Sequence, residues 1–155
     1  MIAVLLGLTA FFLGAVNMRY LADVRDSEAE ATFVDVVAHH AEVERYHDLR
    51  SIIIDDQHTI LVAEIELREE AVVAGLQARM KEFECEFMSV LPGGKRENQQ
   101  IRDYCHTRAA AQATLERTEI IVEEIAQTIK QRLPRIHHVT LEVEGIATAP
   151  ESDKG

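Results

Sequence analysis

The chain lacks any surplus of positive charge: 16 Lys and Arg stand against 27 Asp and Glu, a formal net charge of -11. Phosphate binding needs Lys and Arg gathered on one face, so this composition argues against a nucleic-acid partner. An acidic surface suits cations or plain solubility instead. Cysteine is scarce as well. Cys85 and Cys105 are too few for the disulfide framework of a small secreted domain, and their spacing matches neither a zinc ribbon nor a redox motif. A reduced, cytoplasmic setting is therefore expected for the main domain. Catalytic signatures are missing too: there is no nucleophile elbow, no phosphate-cradling glycine loop and no HExxH helix, so no enzymatic activity is expected. The 155 residues leave room for one modest core and an appendage.

Charge of either sign is absent from Met1 to Val16, which contains IAVLLGLTAFFLGAV. Such a run rises about 24 Å against a hydrocarbon core of about 30 Å, so positions 1–22 are expected to form a membrane helix on the short side. No Lys or Arg precedes the run and no clean small-residue cleavage site follows it, which makes a cleaved secretory signal the lesser reading. Ala3, Gly7, Ala10 and Gly14 recur at spacings of three and four. They either admit a second helix at close range or reflect the ordinary composition of membrane helices. Arg19 and Arg25 follow the run, and positive charge on that side places the remainder in the cytoplasm.

Asp26 and Ser27, with Glu30 three residues beyond Ser27, form a capping-box pattern that starts a helix ending about His40, with Phe33, Val36, Val37 and His40 as its stripe. The β-branched run RSIIIDD follows, closed by a polar turn at Asp55, Asp56 and Gln57, and then HTILVAEIELREE alternates strictly. Together they predict a hairpin whose second strand turns Leu61, Ala63, Ile65 and Leu67 to one face and Val62, Glu64 and Glu66 to the other. Helical periodicity returns over about 70–133: Val72, Leu76, Met80, Phe83, Phe87 and Leu91 mark one helix, stopped at Pro92, Gly93 and Gly94. A longer helix from about Glu97 to Leu133 carries Ile121, Ile125, Ile129 and Leu133 and ends at Pro134. These two are expected to form an antiparallel hairpin. The last strand, HHVTLEVEGI, separates Val139, Leu141 and Val143 from Thr140, Glu142 and Glu144, and a disordered tail is expected from 147 to 155.

A strand, a helical crossover and another strand favour a parallel pair, so the last strand is expected beside the second. With helices on one face, positions 26–146 then make an α+β, ferredoxin-like domain with a three-stranded mixed sheet. Glu64, Glu66, Glu142 and Glu144 would share its uncovered face. Four neighbouring carboxylates repel one another, and a divalent cation relieves that repulsion; His47, placed just before the first strand, could add a nitrogen ligand suited to zinc. Glutamate on an open sheet face is equally at home in water, and the residues leave both readings open. The histidine pairs His39 with His40 and His137 with His138 point opposite ways if extended and are poor chelators. Cys85, Cys105 and His106 lie at similar distances from the Pro-Gly-Gly turn and could meet across the helical hairpin, as a metal site or as ordinary half-buried thiols.

Three stretches resemble the cation diffusion facilitator family of zinc and divalent-cation antiporters. VERYHDLRSIIIDDQHTILVAEIELREE looks like that family's His-Asp-Leu-Arg strand opening with its turn and alternating second strand; IAQTIKQRLPRIHHVTLEVEG is similar to its last helix and strand; VLLGLTAFFLGAVNMRYL resembles the end of its sixth membrane helix. The resemblance implies a homodimer whose cytoplasmic, metallochaperone-like domains respond to zinc or a related ion, with one membrane helix in lipid. It implies ligands at His47, Glu64, Glu142 and Glu144. Zinc-binding members often have His where this chain has Glu64 and Glu142, which favours an oxygen-rich site for another divalent ion, or an empty one. The helical segment of about 60 residues exceeds the family's single helix and resembles the zinc transporter nine branch. The family's transport site lies on its second and fifth membrane helices, which these residues do not include, so this stretch alone is expected to dimerise and sense metal without moving ions. The competing expectation is a membrane-tethered protein-interaction domain that binds no metal.

Overall fold

The computed structural model describes residues 2–21, 25–55 and 57–146, and within its first helix the side chains of 4–15. Asp56 of the expected turn and the expected tail from Ala147 lie outside the described residues. Helix α1 (Ile2–Leu21) is continuous, and its described side chains are uncharged and exposed. Among the described residues no helix is long and apolar enough to cross a membrane.

Helix α2 (Ser27–His39) starts where expected. Asp26 is its N-cap, accepting from the Ala29 backbone N–H at 3.0 Å. The reciprocal half of the capping box does not form, because Glu30 Oε1 accepts from Ser51 Oγ at 2.8 Å. Of the expected stripe, Phe33, Val36 and Val37 are buried, whereas His40 lies just past the helix as its C-cap and is half-buried. Strand β1 (Val43–Asp55) begins earlier than RSIIIDD suggests, so His47 lies within the strand and not before it. Strand β2 (His58–Leu67) alternates as its sequence predicts, with Leu61, Ala63, Ile65 and Leu67 at most 1% exposed.

The next helical run is interrupted after one turn. Helix α3 (Glu69–Val73) ends at Ala74, and Gly75 adopts φ 73° before helix α4 (Leu76–Ser89) resumes. A left-handed residue at that position breaks the apolar repeat that otherwise reads straight through. Open space surrounds the Gly75 Cα, so a methyl group would clash with nothing and only the backbone would object. Gly75→Ala is expected to cost about 1 kcal/mol in a denaturant titration. A cost near zero would mean that the bend relaxes freely.

After the short helix α5 (Gly93–Arg96), Asn98 caps helix α6 (Gln99–Arg132), two residues later than the composition suggests. This helix is about 51 Å long. Its first half pairs antiparallel with α4: Arg79 grips Glu116 with two N–H donors at 2.6 and 2.8 Å, and Arg108 covers the Phe87 ring at 4.1 Å. The small buried residues Ala109 and Ala113 let α4 approach. Its second half turns Ile121, Ile125 and Ile129 into the core, all fully buried.

Strand β3 (Ile136–Ile146) closes the fold. The sheet order is β1-β2-β3, with β1 antiparallel to β2 and β3 parallel to β2, as the crossover argument requires. Thus the domain is a mixed α/β fold around a three-stranded mixed sheet. Helices α2 and α6 pack on the face carrying Leu61, Ala63, Ile65 and Leu67. Each buried Ile or Phe there is worth about 1.5–3 kcal/mol.

Candidate metal centre on the open sheet face

The open face divides into two halves along the strands. Register rows place Ile52 beside Ile60 and His138, then Arg50 beside Val62 and Thr140, making a largely apolar half that carries no carboxylate in these rows. The next row is His47 beside Glu64, and Glu64 beside Glu142. Beyond it Arg45 faces Glu66. The acidic residues therefore gather at the end of the sheet where β2 and β3 finish and β1 begins.

Two irregularities decide which side chains meet. In β1 the pairing slips between His47 and Arg50, where Asp48 takes φ 46°, a left-handed conformation that Asp tolerates better than most residues. In the β2–β3 ladder it slips between Ile65 and Glu66, which sets Glu66 opposite Gly145. One ligand atom each of His47, Glu66 and Glu144 then falls within 4.8 Å of the other two. His47 Nε2 lies 3.2 Å from Glu66 Oε1, and Arg45 Nε lies 2.9 Å from Glu66 Oε2.

Of the expected ligands, His47 and Glu144 are brought together. Glu64 and Glu142 are not part of that group, although the backbone register puts both in the row of His47. The ring of His47 leans past its own row to the next, where Glu66 takes the place assigned to Glu64. Glu66 is also the least exposed of the cluster, with 19% of its side chain in solvent against 42% for His47. Arg45 sits two residues before His47 on the same strand face, a placement that follows only once β1 is extended back to Val43.

The donor set of one imidazole and two carboxylates suits a first-row divalent ion such as zinc, cobalt or manganese. Tetrahedral ligands about 2.1 Å from zinc stand about 3.4 Å apart, so shifts of about 1 Å would close the group around an ion. Arg45 holds Glu66 Oε2 and so orients the carboxylate, leaving Oε1, beside His47, as its ligand atom. Because the site is open on one side, further positions would be filled by water or by a second molecule.

The other sequence candidates come out differently. Cys85 is exposed and Cys105 buried, and His106 instead faces Glu84 at 3.4 Å. His58 pairs with Asp55 at 2.7 Å and stacks edge-on against His137 at 5.4 Å. The Gln57 N–H, and after it His58, hold the Asp55 carboxyl below its usual range. Among the described residues one other three-ligand group exists, at His40, Glu42 and Glu124.

At the opposite end of β2, about 23 Å along the strand from Glu66, lies a polar network absent from the sequence reading. Asp26, only 8% exposed, accepts from Arg135 Nη2 at 2.7 Å and Nε at 3.1 Å and from Thr59 Oγ1 at 2.9 Å. Its backbone N–H donates to Ser51 Oγ at 2.7 Å. Arg135 also reaches Glu28 at 2.7 Å. These bonds tie the start of α2 to β1, to β2 and to the residue that leads into β3, and they add to the burial of Ile136 at the sheet end remote from the candidate centre. No protein-family model, curated protein or solved structure matches the chain.

Proposed function

We propose that this chain is the dimerising, metal-responsive part of a divalent-cation efflux antiporter of the cation diffusion facilitator type, with His47, Glu66 and Glu144 as its ion-sensing group. The observation that carries the reading is the convergence of those three ligand atoms on the open sheet face. The arrangement of a helix, two antiparallel strands, a helical crossover and a third strand parallel to the second supports a ferredoxin-like description. The uncharged, exposed side chains of α1 support its assignment as the membrane-attached end. An ion at the cluster removes carboxylate repulsion at one end of the sheet. If the dimer has two arrangements of unequal ion affinity, binding biases the membrane part towards one of them.

Calorimetry of the full chain in detergent with zinc, cobalt and manganese tests the site. Glu66→Gln is expected to weaken binding at this cluster by at least about tenfold, as loss of a ligand should exceed the effect of losing an outer-shell partner. Glu64→Gln and Glu142→Gln are expected to stay within about threefold, because neither side chain joins the group. If Glu64→Gln abolishes binding and Glu66→Gln does not, the family's own ligand pattern holds and the cluster described here is wrong.

A second reading rests on the other half of the same face, where Ile52 and Ile54 are 49% and 59% exposed. An apolar strand edge of this kind suits a membrane-tethered protein-interaction domain that uses no metal. The absence of heat with all three ions would select it.

A further inference from the structure

Away from the open face, the end of α2, the start of β1 and the middle of α6 come together on the helical side of the fold. His40 terminates α2 in an extended conformation, φ -82° and ψ 115°, its N–H donating to Val37 O and its carbonyl accepting from Val43 N at 3.2 Å. Glu42 follows in the same tight turn, with its carbonyl held by the Arg68 N–H at 3.0 Å. Glu124 projects from α6 beside the fully buried Ile125, whose packing fixes the phase of that helix. One imidazole nitrogen of His40 and one carboxylate oxygen from each glutamate lie within 4.8 Å of one another.

A separate observation marks the place as incomplete. His40 Nδ1 is buried and has no hydrogen-bond partner. Its neighbour His39 shows the ordinary solution, with Nδ1 bonded to Asp35 O at 2.7 Å. Leaving a buried polar atom unpaired is destabilising, and a bound ion would give that nitrogen the partner it lacks. The surroundings also suit a cation: the carbonyl end of α2 carries partial negative charge, and two carboxylates face it. Arg117 donates to one oxygen of Glu42 and to Ala71 O, so it orients that carboxylate while leaving its second oxygen available.

We propose that His40, Glu42 and Glu124 form a second divalent-cation site, suited to zinc or cobalt, which clamps the end of α2 to α6. This site is independent of the open-face cluster. Its ligands come from a helix end, a turn and a core helix, so its ion would brace the domain from the helical side.

The test is a zinc titration of the full chain labelled with ¹⁵N, following the imidazole nitrogens, with cobalt absorption as a second readout. The expected result is two ions per chain, with a large shift of His40 Nδ1 on binding. Glu124→Gln should remove one equivalent and the His40 shift while leaving the His47 signals responsive; its exposed position makes misfolding a minor concern. Glu66→Gln should do the reverse. The proposal is overturned if His40 stays unshifted at saturating zinc, or if Glu124→Gln binds with the stoichiometry and cobalt spectrum of the parent chain. Either outcome leaves the open-face cluster to stand or fall on its own signals.

Discussion

Asp26→Ala is expected to lower the free energy of unfolding by about 3 kcal/mol at neutral pH, because it removes at once the α2 cap, the acceptor of Thr59 and the less exposed of the two carboxylates that pair with Arg135. The carboxylate accepts from Arg135 at two positions, from Thr59, and from the Ala29 N–H that it caps. The hydrogen bond from Arg135 is the main reason its pKa falls from the ordinary 3.8 to about 2, against burial, which pushes it up. That drop alone corresponds to about 2 kcal/mol. Since the folded value is the depressed one, the contribution is complete above about pH 4 and fades as pH falls through about 2. Asp26→Asn keeps the cap and the shape but loses the charge, so its deficit against the parent chain should be about 2 kcal/mol at pH 6 and shrink towards zero near pH 2. Urea titrations across that range read the gap directly. A gap that stays constant with pH would show that the ion pair contributes nothing and that the loss is one of packing.

The second and third strands and their pairing were legible because both carry a period-2 pattern with one apolar face: Leu61, Ala63, Ile65 and Leu67 are buried as a set, and Val139, Leu141 and Val143 line up beside Leu61, Ala63 and Ile65. The helical crossover then left β3 little choice of neighbour. What the pattern could not show was the slip in register at each ladder. A bulge adds a residue without altering composition, and the two bulges near His47 and Glu66 are what exchange Glu64 for Glu66 in the cluster. Extending β1 back to Val43 was similarly hidden, since VERYHDLR is polar and alternates only weakly.

Two further features escaped for a different reason, which is distance along the chain. Asp26 and Arg135 are separated by 109 positions, and Glu42 and Arg117 by 75. Nothing local in either sequence neighbourhood distinguishes those arginines from solvent-facing ones. The break at Gly75 had a signal, a glycine inside a helical run, but an apolar repeat that continues on both sides outweighed it.

The long helix α6 serves two purposes, and a pair of substitutions should separate them. Ile125→Ala removes a side chain with no exposure from the cluster that joins α2, α6 and the sheet, and is expected to cost about 3–4 kcal/mol by lost transfer energy and the cavity left behind. Leu115→Ala, ten residues earlier and 66% exposed, is expected to change stability by less than about 0.5 kcal/mol. The core cluster on α6 begins at Ile121, and the α4–α6 hairpin before it buries only Cys105, Ala109 and Ala113 of α6. Thermal unfolding of both variants by circular dichroism, at two protein concentrations, makes the comparison. Should Leu115→Ala cost as much as Ile125→Ala, and more so at the higher concentration, the exposed side of the hairpin is covered by a second copy of the chain, and the dimer contact lies on the helices and not on the sheet.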